Sequence, residues 1–191
     1  MHNVTAPCET IENIAVKMIR PHLCEILEAP MPAGFRIRGM TPRDIPTWTL
    51  IERDAEPFLT IGDDLFVKEF GHDLAALPER CYFIETETGE PAATISAWYD
   101  VAERGVNPGR IHWVATRPAY QRRGLARAGL SYALNRLADW HDLALLGTST
   151  GRLGAIQLYL DFGFVPDMNA SRAEEAWAQV RGQLQHAALA Q

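Results

Sequence analysis

The chain has 191 residues, of which 47% are hydrophobic and 22% charged, enough for one domain with a real core and a small extension but not for two full domains. A formal charge of −6 and a pI near 5.5 exclude a broad nucleic-acid surface, which needs a basic field to hold phosphates. No apolar run approaches the roughly twenty residues that cross a bilayer, and MHNVTAPCETIEN lacks the basic-then-apolar order of a signal peptide, so no membrane partner and a cytoplasmic location are expected.

Residues 1–34 read as an N-terminal helical extension to a domain at 35–191. Ile11, Ile14, Ala15 and Met18 share one helical face, Leu23, Ile26 and Leu27 continue it, and Pro21 is expected to kink or split the helix. Ala29 to Gly34 forms a Pro- and Gly-containing linker. A first strand follows at Phe35 to Arg38. Thr41-Pro42-Arg43-Asp44 is a helix start, with Thr41 as N-cap and Asp44 near the positive end of the dipole. A short helix is expected over Asp63 to Leu74. Cys81 to Thr86 and Ala92 to Tyr99 are strands whose Thr88-Gly89-Glu90-Pro91 connection predicts an antiparallel hairpin. Three widely spaced cysteines, Cys8, Cys24 and Cys81, suit reduced thiols rather than a disulfide framework or a metal site.

After an Asn107-Pro108-Gly109 turn, a strand from Ile111 to Thr116 leads through Gln121-Arg122-Arg123-Gly124-Leu125-Ala126 into an amphipathic helix from Leu125 to Trp140. Successive N–H groups in such a loop stand beside the positive end of the helix dipole, and Gly124 and Ala126 let a phosphate approach the main chain. The ligand implied is anionic and phosphorylated. A P-loop would need lysine and a hydroxyl residue where Leu125 and Ala126 stand, and a dinucleotide fingerprint would need two more glycines.

QRRGLA does satisfy the Q/R-x-x-G-x-G/A signature of the GCN5-related N-acetyltransferase (GNAT) superfamily, which the chain therefore resembles. A second segment, AIQLYLDFGF from Ala155 to Phe164, resembles the family's A-x-x-L-Y-x-x-x-G-F motif, with a strand at Leu143 to Gly147 between the two. Its residues recur at helical spacing, and Gly163 suits a left-handed C-terminal cap. The resemblance covers roughly Phe35 to Pro166 and implies an α/β acyl-CoA N-acyltransferase fold: a mixed, mostly antiparallel sheet flanked by helices, here with extra N- and C-terminal helices. Ser171-Arg172-Ala173-Glu174 reads as a capping box opening the last helix, through Trp177, Val180 and Leu184.

The resemblance implies an enzyme that moves an acetyl group from acetyl-CoA to a primary amine, by direct attack in a ternary complex. The cofactor's pyrophosphate would lie on the loop of Gln121, Arg122, Arg123, Gly124, Leu125 and Ala126, and its pantetheine would pair with the main chain of Val114, Ala115 and Thr116. A backbone N–H near Val114 or Ala115 would meet the oxyanion. Tyr159 matches the family's acid for the departing thiolate.

Strict alternation puts Arg110, His112, Val114 and Thr116 on one strand face and Ile111, Trp113 and Ala115 on the other. Arg110 stands nearest in register to the glutamate some family members use as base and cannot replace it, which leaves His112 as the expected proton acceptor. Ser149 or Thr150 is expected to cap the following helix, with Arg152 open as a cofactor contact. The acceptor, a small-molecule or peptide amine, is expected near Phe58, Phe66, Phe70 and His72 beside Asp63, Asp64 and Asp73. Two alternatives are a coenzyme A sensor without turnover and an interaction protein whose terminal helices form a homodimer.

Overall fold

The computed structural model describes residues 12–72, 74–100 and 106–190; Cys8, Ile11 and Asp73 lie outside them. The described residues divide into two compact units, one within residues 19–146 and the other comprising residues 12–18 with 147–190.

In the larger unit, β2 (Phe35–Gly39), β3 (Cys81–Thr86), β4 (Pro91–Tyr99) and β5 (Pro108–Thr116) pair antiparallel in that order. β6 (Leu143–Ser149) then joins β5 in parallel, over Pro108–Arg110 and Leu143–Leu145 alone. The β3–β4 hairpin follows its expected boundaries closely because alternation and turn chemistry agree there. Asn107-Pro108-Gly109 does not form a separate turn, since Pro108 and Gly109 already belong to β5.

Helices cover this sheet through the alternation of its strands. Cys81, Phe83 and Trp98 join Trp48 and Ile51 of α1 (Ile45–Ala55), Phe66 and Phe70 of α2 (Leu65–Phe70) and Leu77 of α3 (Leu77–Arg80) in one buried cluster. Trp48 meets Phe66, Phe70 and Trp113 edge-on, with ring centroids 5.0, 5.7 and 5.6 Å apart. Such aromatic packing contributes about 0.5–1.5 kcal/mol per pair beyond area burial. Thr41 opens this region as expected: its N–H and hydroxyl both donate to Asp44 Oδ2, at 2.7 and 2.9 Å. The expected helix over Asp63 to Leu74 is shorter, and α3 was not anticipated.

α4 (Leu125–Ala138) packs on β4 and β5. A Cβ at its Gly129 would stand 3.0 Å from Ile84 Cδ1, so glycine lets the helix approach the sheet without displacing that side chain. The 29–34 segment is more than a linker. Ser131 Oγ accepts from Ala29 N–H and donates to the Leu27 carbonyl, and Met31 packs on Ile84, Ala93 and Leu125.

In the smaller unit the N-terminal helix expected from the sequence is corrected: Ala15–Arg20 is a strand, β1. Val16, Met18 and Arg20 are buried while Ala15 and Lys17 face outward, a period of two that Ile14 and Met18 concealed by also fitting a helix. Thr150 anchors the entry to β1, donating its N–H to the Ile14 carbonyl and accepting Ile14 N–H on Oγ1, at 2.9 and 3.0 Å. Proline at position 21 ends the strand rather than kinking a helix.

α5 (Leu153–Asp161) ends in a Schellman motif, with Gly163 at φ +79° and Phe164 N–H donating to the Tyr159 carbonyl at 3.0 Å. β7 (Val165–Pro166) follows, and Asp167 N–H returns to the Lys17 carbonyl. α6 (Ala173–Gln183) is the expected C-terminal helix, but Ser171 does not cap it. Arg172 occupies the cap with φ +57° and bonds both carboxylate oxygens of Glu12 at 2.7 Å and those of Glu175 at 2.7 and 2.9 Å.

Candidate functional site

The loop before α4 has the main-chain form an anion requires. Arg122 and Gly124 both take left-handed conformations, φ +62° and +82°, and Gly124 is the N-cap of a helix long enough to carry a dipole. Among the described residues, the N–H groups of Arg122, Arg123, Gly124, Leu125 and Ala126 donate to no main-chain carbonyl. These five donors at a helix N-terminus fit the pyrophosphate of a coenzyme A molecule.

Side chains of the loop brace it. Gln121 Nε2 donates to the Thr116 carbonyl at 3.0 Å, and Arg123 donates to the Ala119 carbonyl while lying over the Tyr120 ring. Leu125 is buried in the core and Ala126 half-buried, so each offers the loop its main chain rather than its side chain. The parallel ladder stops at Arg110 and Leu145, which leaves Val114, Ala115 and Thr116 on a stretch of β5 that is not paired with β6.

β5 is not the regular strand the sequence suggested. Thr94 pairs with Ala115 but Ser96 with His112, so one residue of β4 faces two of β5, and Trp113 takes φ +46°. This is a β-bulge, and it overturns the expected alternation. His112 lies against the Phe70 ring at 5.1 Å, Trp113 against Trp48, and Ala115 in the same buried cluster, all on the face covered by α1 and α2.

The bulge also gathers a polar group that sequence reasoning missed. Trp113 Nε1–H donates to Glu69 Oε2 at 3.0 Å, and His112 Nε2 lies 3.1 Å from the same oxygen without the alignment of a hydrogen bond. Burial, with the Arg110 charge adding to it, pushes the His112 pKa down to about 3, against a hydrogen bond that the imidazole donates to the Glu69 main chain. The imidazole is therefore neutral at physiological pH and weakly basic. Nothing in LFVKEF marks Glu69; only the bulge, which no residue pattern announces, turns the indole toward it.

Among the described residues, the expected acceptor residues do not assemble. Phe66 and Phe70 stack in the core at 4.5 Å, Phe58 and His72 are exposed, and Asp63 and Asp64 pair with Arg53 and Lys68. In the smaller unit, Tyr159 on α5 is buried and its ring meets Phe164 at 5.9 Å. Neither Ser149 nor Thr150 caps α5 as expected. Thr150 is committed to Glu12 and Ile14, and Ser149 accepts from the Arg152 guanidinium. Cys24 and Cys81 are free thiols.

The Acetyltransferase (GNAT) family model matches residues 45–164, from α1 to the end of the α5 cap. The chain belongs to the GNAT family. No curated protein matches the sequence. Solved structures share the GNAT fold, among them a GCN5-related N-acetyltransferase from Sphaerobacter thermophilus, with a TM-score of 0.61, 20% identity and coverage of 81% of this chain and 49% of that one. The ribosomal-protein-S18-alanine N-acetyltransferase of Escherichia coli gives 0.54 and 24%, covering 68% and 76%. A diaminobutyrate acetyltransferase from Paenibacillus lautus, in complex with L-2,4-diaminobutyric acid and coenzyme A, gives 0.53 and 18%, covering 67% and 74%. The chain spans about half the length of the Sphaerobacter protein, 49% of it. Among the described residues, no helix of this GNAT protein is long and apolar enough to cross a membrane.

Proposed function

We propose that the protein is an N-acetyltransferase that carries an acetyl group from acetyl-CoA to a primary amine of a small molecule or peptide. The reading rests above all on the run of unpaired amides from Arg122 to Ala126 at the N-terminus of α4, in a chain of the GNAT family. Acetyl-CoA, when bound, supplies an activated thioester. The chain's own groups bind and orient: the loop amides hold phosphate, the β5 main chain over Val114 to Thr116 runs beside the pantetheine, and an N–H of Val114 or Ala115 receives the developing oxyanion. Tyr159 donates its phenolic proton to the departing sulfur.

Two related folds support an amine acceptor, since one belongs to an enzyme named for alanine N-acetylation and another holds L-2,4-diaminobutyric acid with coenzyme A. The test is release of free coenzyme A thiol from acetyl-CoA over a panel of primary amines, including diaminobutyrate and alanyl peptides. Tyr159→Phe is expected to lower kcat about 10²-fold, the lower end of general-acid effects, with acetyl-CoA affinity unchanged. Tight acetyl-CoA binding without thiol release on any amine would instead make the protein a sensor.

A further inference from the structure

The acetyltransferase reading leaves open which group receives the acceptor's proton. His112 is 7% exposed at its side chain and neutral, whereas Glu69, 3.1 Å away, is 32% exposed and reaches solvent. Glu69 Oε2 is fixed by the Trp113 indole N–H, and among the described residues Oε1 has no hydrogen-bond partner. The fixing residue, Trp113, is the one held at φ +46° in the bulge, a left-handed conformation strained for any residue but glycine. It immediately precedes Val114 and Ala115, where the oxyanion donor is expected.

We infer that Glu69 receives the ammonium of the acceptor and takes up its proton, with Trp113 as its positioning residue. This rests on the acetyltransferase reading. A carboxylate fixed at the indole N–H attracts a primary ammonium by charge. A neutral imidazole contributes no attraction of that kind, and the Arg110 charge opposes a proton on His112. In the step itself an N–H bond of the ammonium breaks, an O–H bond forms on Glu69, and the electron pair stays on nitrogen as the free amine. Glu69 then loses the proton to water through its exposed edge. One net proton per amide formed leaves by this route.

The test follows the indole N–H signal of Trp113 by nuclear magnetic resonance as n-butylammonium chloride is added to the full chain, with sodium chloride as control. A saturating, ammonium-specific shift is expected in the wild type and in His112→Gln, with loss in Glu69→Gln, whose amide oxygen can still hold the indole. Glu69→Asp, which keeps the charge on a shorter arm, should bind more weakly. No shift in the wild type, or an equal shift in Glu69→Gln, overturns the proposal. Acetyl-CoA is titrated into the same samples: all four proteins should bind it alike. A wild type that fails to bind it, yet keeps the Trp113 response, would sink the acetyltransferase reading and leave Glu69 as an ammonium site. For any amine turned over, Glu69→Gln should cut kcat/KM about 10²-fold or more.

Discussion

His112 contributes to the acid sensitivity of the protein. Its folded-state value of about 3 lies below the ordinary 6.5, so between these values the unfolded chain binds a proton that the folded chain does not. Its contribution is therefore complete above about pH 6.5 and is lost as pH falls toward 3. Urea unfolding should show a loss of about 1 kcal/mol from this residue between pH 7.5 and 5.5, and His112→Gln should remove that part of the slope. An unchanged slope in the variant would show that the imidazole is not held neutral. Glu69, on the same cluster, was invisible in the sequence for a definite reason. It sits between Lys68 and Phe70 on a helix of six residues, where nothing distinguishes a carboxylate that receives an indole N–H from one in solvent.

At the scale of elements, legibility followed the distance between partners in the chain. The β3–β4 hairpin was readable because both strands alternate and their turn lies between them. β1 was not, because its anchor at Thr150 lies 136 residues from Ile14, and the helical spacing of Ile14, Ala15 and Met18 competed with the true period of two. The loop before α4 was legible as a local strand-loop-helix, whereas the β5 bulge, which decides the faces of His112, Trp113 and Ala115, depends on register against β4. Thr150→Val tests the β1 anchor directly. It keeps the shape but leaves the buried Ile14 N–H without its acceptor, a loss of about 1–3 kcal/mol by denaturant unfolding. A change within a few tenths of that unit would mean that the main-chain bond to Ile14 holds the strand unaided.

For the whole molecule, the proposed binding of a polyanionic cofactor by an acidic chain rests on geometry rather than on net charge. The formal charge of −6 opposes a diffuse basic surface, while the amides from Arg122 to Ala126 and the α4 dipole concentrate positive potential at one loop. Gly124 is the residue on which that loop turns, at φ +82° with only Pro32 Cγ near the place of a Cβ, at 3.7 Å. A side chain there is strained by the backbone itself and stands where phosphate must approach. The deciding measurement is calorimetric titration of wild type and Gly124→Val with acetyl-CoA. Micromolar binding by the wild type, weakened at least about tenfold in the variant, is the predicted result. Failure of the wild type to bind, or equal binding by a folded Gly124→Val, would contradict the assignment of this loop as the cofactor site.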